Sequence, residues 1–156
     1  MNHELELHHL GPVDSCHLKV DKFTVLTGPQ ANGKSTVAKA IYFFRTVKQD
    51  ILNIMMQGGP QAVSGKDSAT WQYVMTQRMK DKFLQLFGTS WIMPDDMEMR
   101  YTYKRNVFVR VFLRENQDDF SKNFIQIEFS DDILSFFQEL QQRTFSNITN
   151  GQIVHE

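Results

Sequence analysis

Cysteine is almost missing from this chain: Cys16 stands alone among 156 residues. No intrachain disulfide can form, and no cysteine set exists for a structural zinc. Excess charge of either sign is missing as well, because 17 basic side chains face 18 acidic ones for a formal net charge of −1. No global field then draws the protein to nucleic acid or to a membrane surface, and any such contact has to come from a local patch. No apolar run approaches the ~18 residues of a membrane span, and the start MNHELELHHL lacks the basic-then-apolar pattern of a leader. The expectation is a soluble, cytoplasmic protein with no membrane partner. Repeats and low-complexity tracts are absent. His8 and His9 are adjacent, which on a strand points them to opposite faces and rules out shared chelation of a metal.

Glycine and proline are scarce, 8 and 4 residues, so each one punctuates. The most informative break lies in TVLTGPQANGKSTVAKAIYFF, residues 24–44. Gly28, Gly33, Lys34 and Ser35 fit G-x-x-x-x-G-K-[ST], the pattern in which a loop wraps its backbone N–H groups around a phosphate chain. Glycine is required where the backbone must approach the anion closely or turn into conformations a side chain blocks. Asn32, Gly33, Lys34, Ser35 and Thr36 supply inward N–H donors, and the helix that starts here adds the positive end of its dipole. Lys34 reaches the terminal phosphates, and Ser35 places its hydroxyl on Mg²⁺, a hard cation that keeps several waters and takes few protein ligands. The context agrees: KFTVLT reads as a buried strand, and Val37, Ala40, Ile41 and Phe44 share one helical face. The expected ligands are ATP and Mg²⁺.

At this length the chain is a single domain that buries about 70% of its unfolded surface. ELELHHL leads to a Gly11–Pro12 turn, and CHLKV follows, so strands precede the loop. The helix opening at Ser35 is predicted to run to about Gln57, where GGP stops it, with a flexible loop from Gly58 to Asp67. A second helix is predicted after Ser68, ending at Gly88. Beyond Pro94 the period changes to two. Met97, Met99, Tyr101 and Tyr103 share a face, as do Val107, Val109, Val111 and Leu113, with a hairpin link at Arg105–Asn106. NFIQIEF adds a third alternating segment, and alternation signals half-buried antiparallel strands. Ser130 is expected to cap a last helix, with Asp131 and Asp132 in its first turn and an apolar stripe of Ile133, Phe136, Phe137 and Leu140. The chain divides into a P-loop lobe at about 1–57, a helical insert at about 68–88, and antiparallel strands with a helix at about 97–145.

The order LHHLGPVDSCHLKVDKFTVLTGPQANGKSTVAKAIYFF resembles the N-terminal segment of ABC-type ATPase heads of the SMC and DNA-repair kind, and is closest to the short bacterial AAA-family ATP-binding proteins that group with them. There, a strand, a GPI-like turn and another strand precede a loop of the form G-P-N-x-x-G-K-S-T. Here the turn is Gly11–Pro12–Val13, and Gln30 stands where the family usually has asparagine. The resemblance implies an α/β fold, a P-loop NTPase lobe with an ABC/SMC-like antiparallel β-subdomain. It also implies a Walker-B strand ending in Asp-Glu and an L-S-G-G-Q-like signature offered by a partner head, and neither is found. FIQIEFSDD alternates and reads as an edge or hairpin strand before a helix cap; WIMPDD is broken by Pro94; MQGGP lies too near the loop; ITNGQ reads as a turn. The expectation is therefore an incomplete head, truncated or completed by a second ATPase half or a homodimer, with ATP hydrolysis only once completed.

Asp14, Ser15, Cys16 and His17 fall where the resembled heads bring a turn near the nucleotide base, and read here as a solvated turn. Arg100, Lys104, Arg105, Arg110 and Arg114 cluster on the predicted hairpin, but Glu98, Glu115, Asp118 and Asp119 offset them, so strong DNA binding is not expected. The methionines and phenylalanines (Met55, Met56, Met93, Met97, Met99; Phe83, Phe87, Phe108, Phe112) read as core, with any exposed part a docking surface for the missing half. Two other readings stand beside the ATPase head: a small P-loop kinase acting on a metabolite, and a nucleotide-binding regulator without turnover. The kinase reading fits less well, since over twenty residues precede the loop and the arginines fall on strands. No N-K-x-D follows the loop, which argues against a GTPase.

Overall fold

Two hairpins and one further strand make a single sheet. The computed structural model describes residues 3–22, 33–88, 93–113 and 124–149, with α5 beyond residue 143 described as main chain only. Strands β1 (His3–Leu10) and β2 (Val13–Val20) form the first hairpin, closed by Gly11–Pro12. Helices α1 (Lys34–Arg45), α2 (Val47–Met56), α3 (Pro60–Ser64) and α4 (Trp71–Phe87) follow, then strands β3 (Glu98–Lys104), β4 (Val107–Leu113) and β5 (Ile125–Phe129), and helix α5 (Asp131–Thr149). The sheet order is β2-β1-β3-β4-β5, and every pairing is antiparallel. The protein is thus a mixed α/β fold on an antiparallel sheet. A nucleotide-binding sheet of the P-loop kind is ordinarily parallel, and the described strands contain no parallel pair.

The period-two pattern after Pro94 does what alternation requires. Met99, Tyr101, Val109, Val111 and Ile125 are fully buried beneath the helices, joined by Leu5 and Leu7 of β1. Glu98, Arg100, Arg110 and Glu128 lie on the opposite face, which no described helix covers. Asn106 takes the left-handed conformation (φ 65°), which asparagine tolerates, and the register slips by one residue between Thr102 and Lys104. A bulge of this kind accommodates the extra residue of the turn.

Aromatic contacts fasten α1 to its neighbours. Phe44 stacks on Tyr101 at 5.3 Å, Phe43 meets Phe83 of α4 edge-on at 6.3 Å, and the Tyr103 hydroxyl donates to the Phe44 carbonyl at 2.5 Å. Pairs of this geometry add about 0.5–1.5 kcal/mol beyond their buried area. Burial and the neighbouring Tyr101 push the Tyr103 phenol far above its ordinary value.

Three sequence expectations are corrected here. The helix predicted over 35–57 is two helices, broken at Thr46. The Thr46 hydroxyl donates back to the carbonyls of Tyr42 (3.0 Å) and Phe43 (3.2 Å), a bond that competes with the helical ladder and bends it. The loop expected over 58–67 contains α3, which starts with Pro60 at its first position and ends at Gly65 (φ 70°), the arrangement that proline and glycine each favour. Among the described side chains of α5 the buried positions are Phe137 and Leu140, with Ile133 and Leu134 packed against the core, while Phe136 is exposed. Helix α4 keeps its predicted bounds, with the Thr70 side chain accepting from the Tyr73 N–H and Gly88 ending it.

Candidate phosphate-binding site

Of the residues singled out for phosphate, Gly28 and Asn32 lie outside the described residues, as does the strand expected before them. Gly33, Lys34, Ser35 and Thr36 open α1. Gly33 is left-handed (φ 82°, ψ 10°), and its carbonyl accepts the first helical bond from Val37 N–H at 2.9 Å. A residue with a side chain resists this conformation, so the second glycine of the motif stands where its freedom is needed. No side chain caps the helix, and no acidic residue lies in its first turn. The positive end of the helix dipole is therefore not neutralised by a carboxylate of that turn. Ser35 is exposed, Lys34 half-buried, and Thr36 buried.

Gly33 rests on the tip of the first hairpin. A Cβ placed on it would stand 2.5 Å from Val13 Cγ2 and 3.7 Å from Pro12 Cγ. The Gly11–Pro12–Val13 turn is thus a wall against which the end of the candidate loop is seated. The sequence singled out this turn by resemblance; the contact itself has no local sequence signal.

Strand register decides which carboxylates stand near. His8 pairs with Glu98, and Glu98 with Phe112, so Leu10, Val13, the start of β3 and the end of β4 share the end of the sheet where Gly33 sits. Val109 pairs with Phe129, so the chain leaves β5 toward Asp131 and Asp132 at the other end. A strand's length, about 20 Å, separates those two acids from Gly33. FIQIEFSDD is an edge strand followed by a helix, as its alternation predicted. Ser130, expected to cap α5, instead turns its hydroxyl to the sheet. It accepts the Phe108 N–H at 3.1 Å, while the Ser130 N–H donates to the Phe108 carbonyl at 3.0 Å.

Asp95 and Asp96, passed over because Pro94 interrupts their run, fall at the Gly33 end. They are the central residues of a turn closed by Met97 N–H donating to the Pro94 carbonyl at 3.0 Å. Asp96 pairs with His9 at 2.7 Å. A cavity of about 720 Å³ opens beside them, lined also by Glu98, Arg110 and Phe112.

The remaining candidates divide cleanly. Asp14, Ser15, Cys16 and His17 lie on β2 and not in a turn, with Cys16 half-buried and the others exposed. Burial raises the pKa of the Cys16 thiol, which makes it a poorer nucleophile. His8 and His9 do not alternate: both are exposed, because His9 adopts φ 48°. Among the described residues no group of His, Cys, Asp and Glu has the arrangement of a metal site. Two arginines of the hairpin are engaged locally, and Arg105 is exposed in its turn. Arg110 pairs with Glu98 at 2.9 Å and Glu128 at 3.7 Å, and it stacks on Phe112, while Arg100 stacks on Phe108. Phe108 and Phe112, read from sequence as core, are therefore platforms under guanidinium groups on the uncovered face. Arg114, Glu115, Asp118 and Asp119 lie outside the described residues. Met55 and Met56 of α2 are exposed, as is Tyr42 of α1, while Met97 and Met99 are core.

A scan against protein-family models matches none. Searches of curated proteins and of solved structures likewise return no match. Among the described residues no helix is long and apolar enough to cross a membrane.

Proposed function

We propose that this chain binds Mg-ATP through Gly28–Thr36 and contributes that site to an ABC/SMC-like ATPase head. Walker-B and signature elements, which these 156 residues do not show, complete the head. One observation carries the reading: the motif's second glycine adopts a left-handed conformation directly before α1, whose first residues are Lys34, Ser35 and Thr36 and whose N-terminus has no side-chain cap. Backbone donors, dipole and lysine then converge on one anion. The described residues fit the group in kind. Ser35 is exposed and offers a hydroxyl to Mg²⁺, and Lys34 offers an ammonium to the terminal phosphates.

Within such a site Lys34 holds charge against the phosphates, the N–H groups orient them, and Gly33 permits close approach. ATP supplies the phosphoryl group, and hydrolysis adds the need for a carboxylate to position water. Asp131 and Asp132 stand at the far end of the sheet from Gly33, so the nucleotide-binding role is separable from turnover. Titration calorimetry with Mg-ATP on wild type and Lys34→Ala tests the reading. Loss of charge-assisted contacts worth about 1.5–3 kcal/mol weakens binding on the order of 10- to 150-fold. Equal affinity in the two proteins rejects it.

A further inference from the structure

His9 holds a backbone conformation that non-glycine residues rarely adopt, at φ 48°. Side chains other than glycine, asparagine and aspartate incur about 1–2 kcal/mol in this region. Without it, β1 would continue its alternation. Leu5 and Leu7 face the core, so His9 would follow them inward and Leu10 would turn out. The left-handed residue reverses the parity. Leu10 is fully buried, and His9 is turned out to Asp96, its Nδ1 2.7 Å from Oδ2. Asp96 is itself fixed in the turn closed by the Pro94 carbonyl and Met97 N–H.

Past His9 the chain has room only for Leu10, Gly11 and Pro12 before Val13, whose methyl group is seated against Gly33. Leu10 is buried and pairs with Val13 across the turn, so little freedom separates His9 from that contact. The side chains of His9 and Asp96 are about half and two-thirds exposed (45% and 66%), and exposed pairs contribute little to stability. Burial of Leu10 offsets the strain at His9, but neither that burial nor the small worth of an exposed pair accounts for the histidine being joined to a carboxylate here.

We infer that the His9–Asp96 pair is a clasp that positions the β1–β2 tip against Gly33, and thereby sets the phosphate-binding geometry at the start of α1. Both are positioning residues, and the inference rests on the nucleotide reading above. Three variants separate the clasp from the backbone strain. His9→Gly accepts the left-handed conformation and removes the clasp. Asp96→Ala removes it from the other side. His9→Asn tolerates the conformation and carries an amide nitrogen at the position of the imidazole Nδ1.

The measurements are Mg-ATP affinity by calorimetry and amide hydrogen exchange over residues 10–13 and 33–35. His9→Gly and Asp96→Ala bind Mg-ATP about 3- to 5-fold more weakly, the scale of one exposed pair, and exchange faster at both segments. In His9→Gly the melting temperature does not fall, because glycine relieves strain. His9→Asn restores affinity and protection. Full ATP affinity in His9→Gly, or an Asn variant no better than the Gly variant, overturns the clasp alone. Absence of ATP binding in wild type overturns the nucleotide reading and the clasp's role with it.

Discussion

Lys82 of α4 reaches across to Asp50 of α2 and forms an ion pair whose side chains are only 14% and 13% exposed. The same ammonium donates to Thr46 Oγ1 at 2.7 Å, so the hydroxyl that breaks the long helix is held from α4. Removing one partner of a buried pair strands the other charge, at a cost of about 3–5 kcal/mol. Lys82→Met and Asp50→Leu are each expected to lose stability on that scale in urea denaturation. The Asp50→Leu/Lys82→Met double variant should lose far less than the two single losses added together.

Gly33→Ala is expected to be damaging for two separable reasons. The new methyl group meets Val13 Cγ2 at 2.5 Å, and φ 82° suits no alanine. Val13→Ala removes the steric part only. The Gly33→Ala/Val13→Ala chain should therefore melt above the sum of the single effects while retaining a deficit of about 1–2 kcal/mol from the backbone. Simple additivity would show that Val13 is not the contact that matters.

His3 gives a pH dependence of definite sign. Burial first, then the Arg45 guanidinium and the N-terminal ammonium, lower its pKa below the ordinary 6.5. Its Nδ1 shares a hydrogen bond with the Tyr101 hydroxyl at 2.7 Å. In the unfolded chain the imidazole takes up a proton at higher pH than in the fold. Stability from this group is thus present above 6.5 and is lost as pH falls through 6.5 toward the lowered value. Urea midpoints measured at about pH 7.5 and 5.5 should fall more in wild type than in His3→Gln, which keeps a hydrogen-bonding atom for Tyr101. An equal fall in both would place the acid sensitivity elsewhere.

Turnover by the chain alone is expected to stay below about 10⁻² s⁻¹, because stabilising charge and a water-orienting carboxylate are worth orders of magnitude in P-loop enzymes. Phosphate release, with Lys34→Ala as the background control, is the assay. Several turnovers per second in wild type, absent from the variant, would require a catalytic acid within the chain, and Asp95, at the Gly33 end, would be the first to replace.

Local signals were legible and distant ones were not. The β3–β4 hairpin and α4 follow from periods and caps carried by the residues themselves. Val109 and Val111 face inward, and Thr70 caps as a threonine at that position should. The opening of α1, expected at Ser35 and found at Lys34, is likewise visible in the motif to within a residue. Thr46 carried no warning, because its effect depends on a hydroxyl turning back to Tyr42 rather than on glycine or proline. Ser130 has a cap's sequence position, yet the Phe108 N–H claims its oxygen. His9 defeated strict alternation, since one left-handed residue reverses every side chain beyond it. The seating of Gly33 on Val13 needs the folded hairpin before it exists at all.

Strand β1 sits between its hairpin mate and β3, so that His3 finds Tyr101 98 residues further along the chain. During synthesis the first hairpin and the helices emerge well before the strand that completes their sheet. Phe43, Phe44 and the inner leucines must wait for Tyr101 to cover them. Closing so large a loop carries its entropy before any reward arrives, which makes the assembly of β1 with β3 the slow step expected of non-local pairing. The interval in which α1 exists without its floor is the stage at which this chain is most exposed to aggregation and to the attention of chaperones.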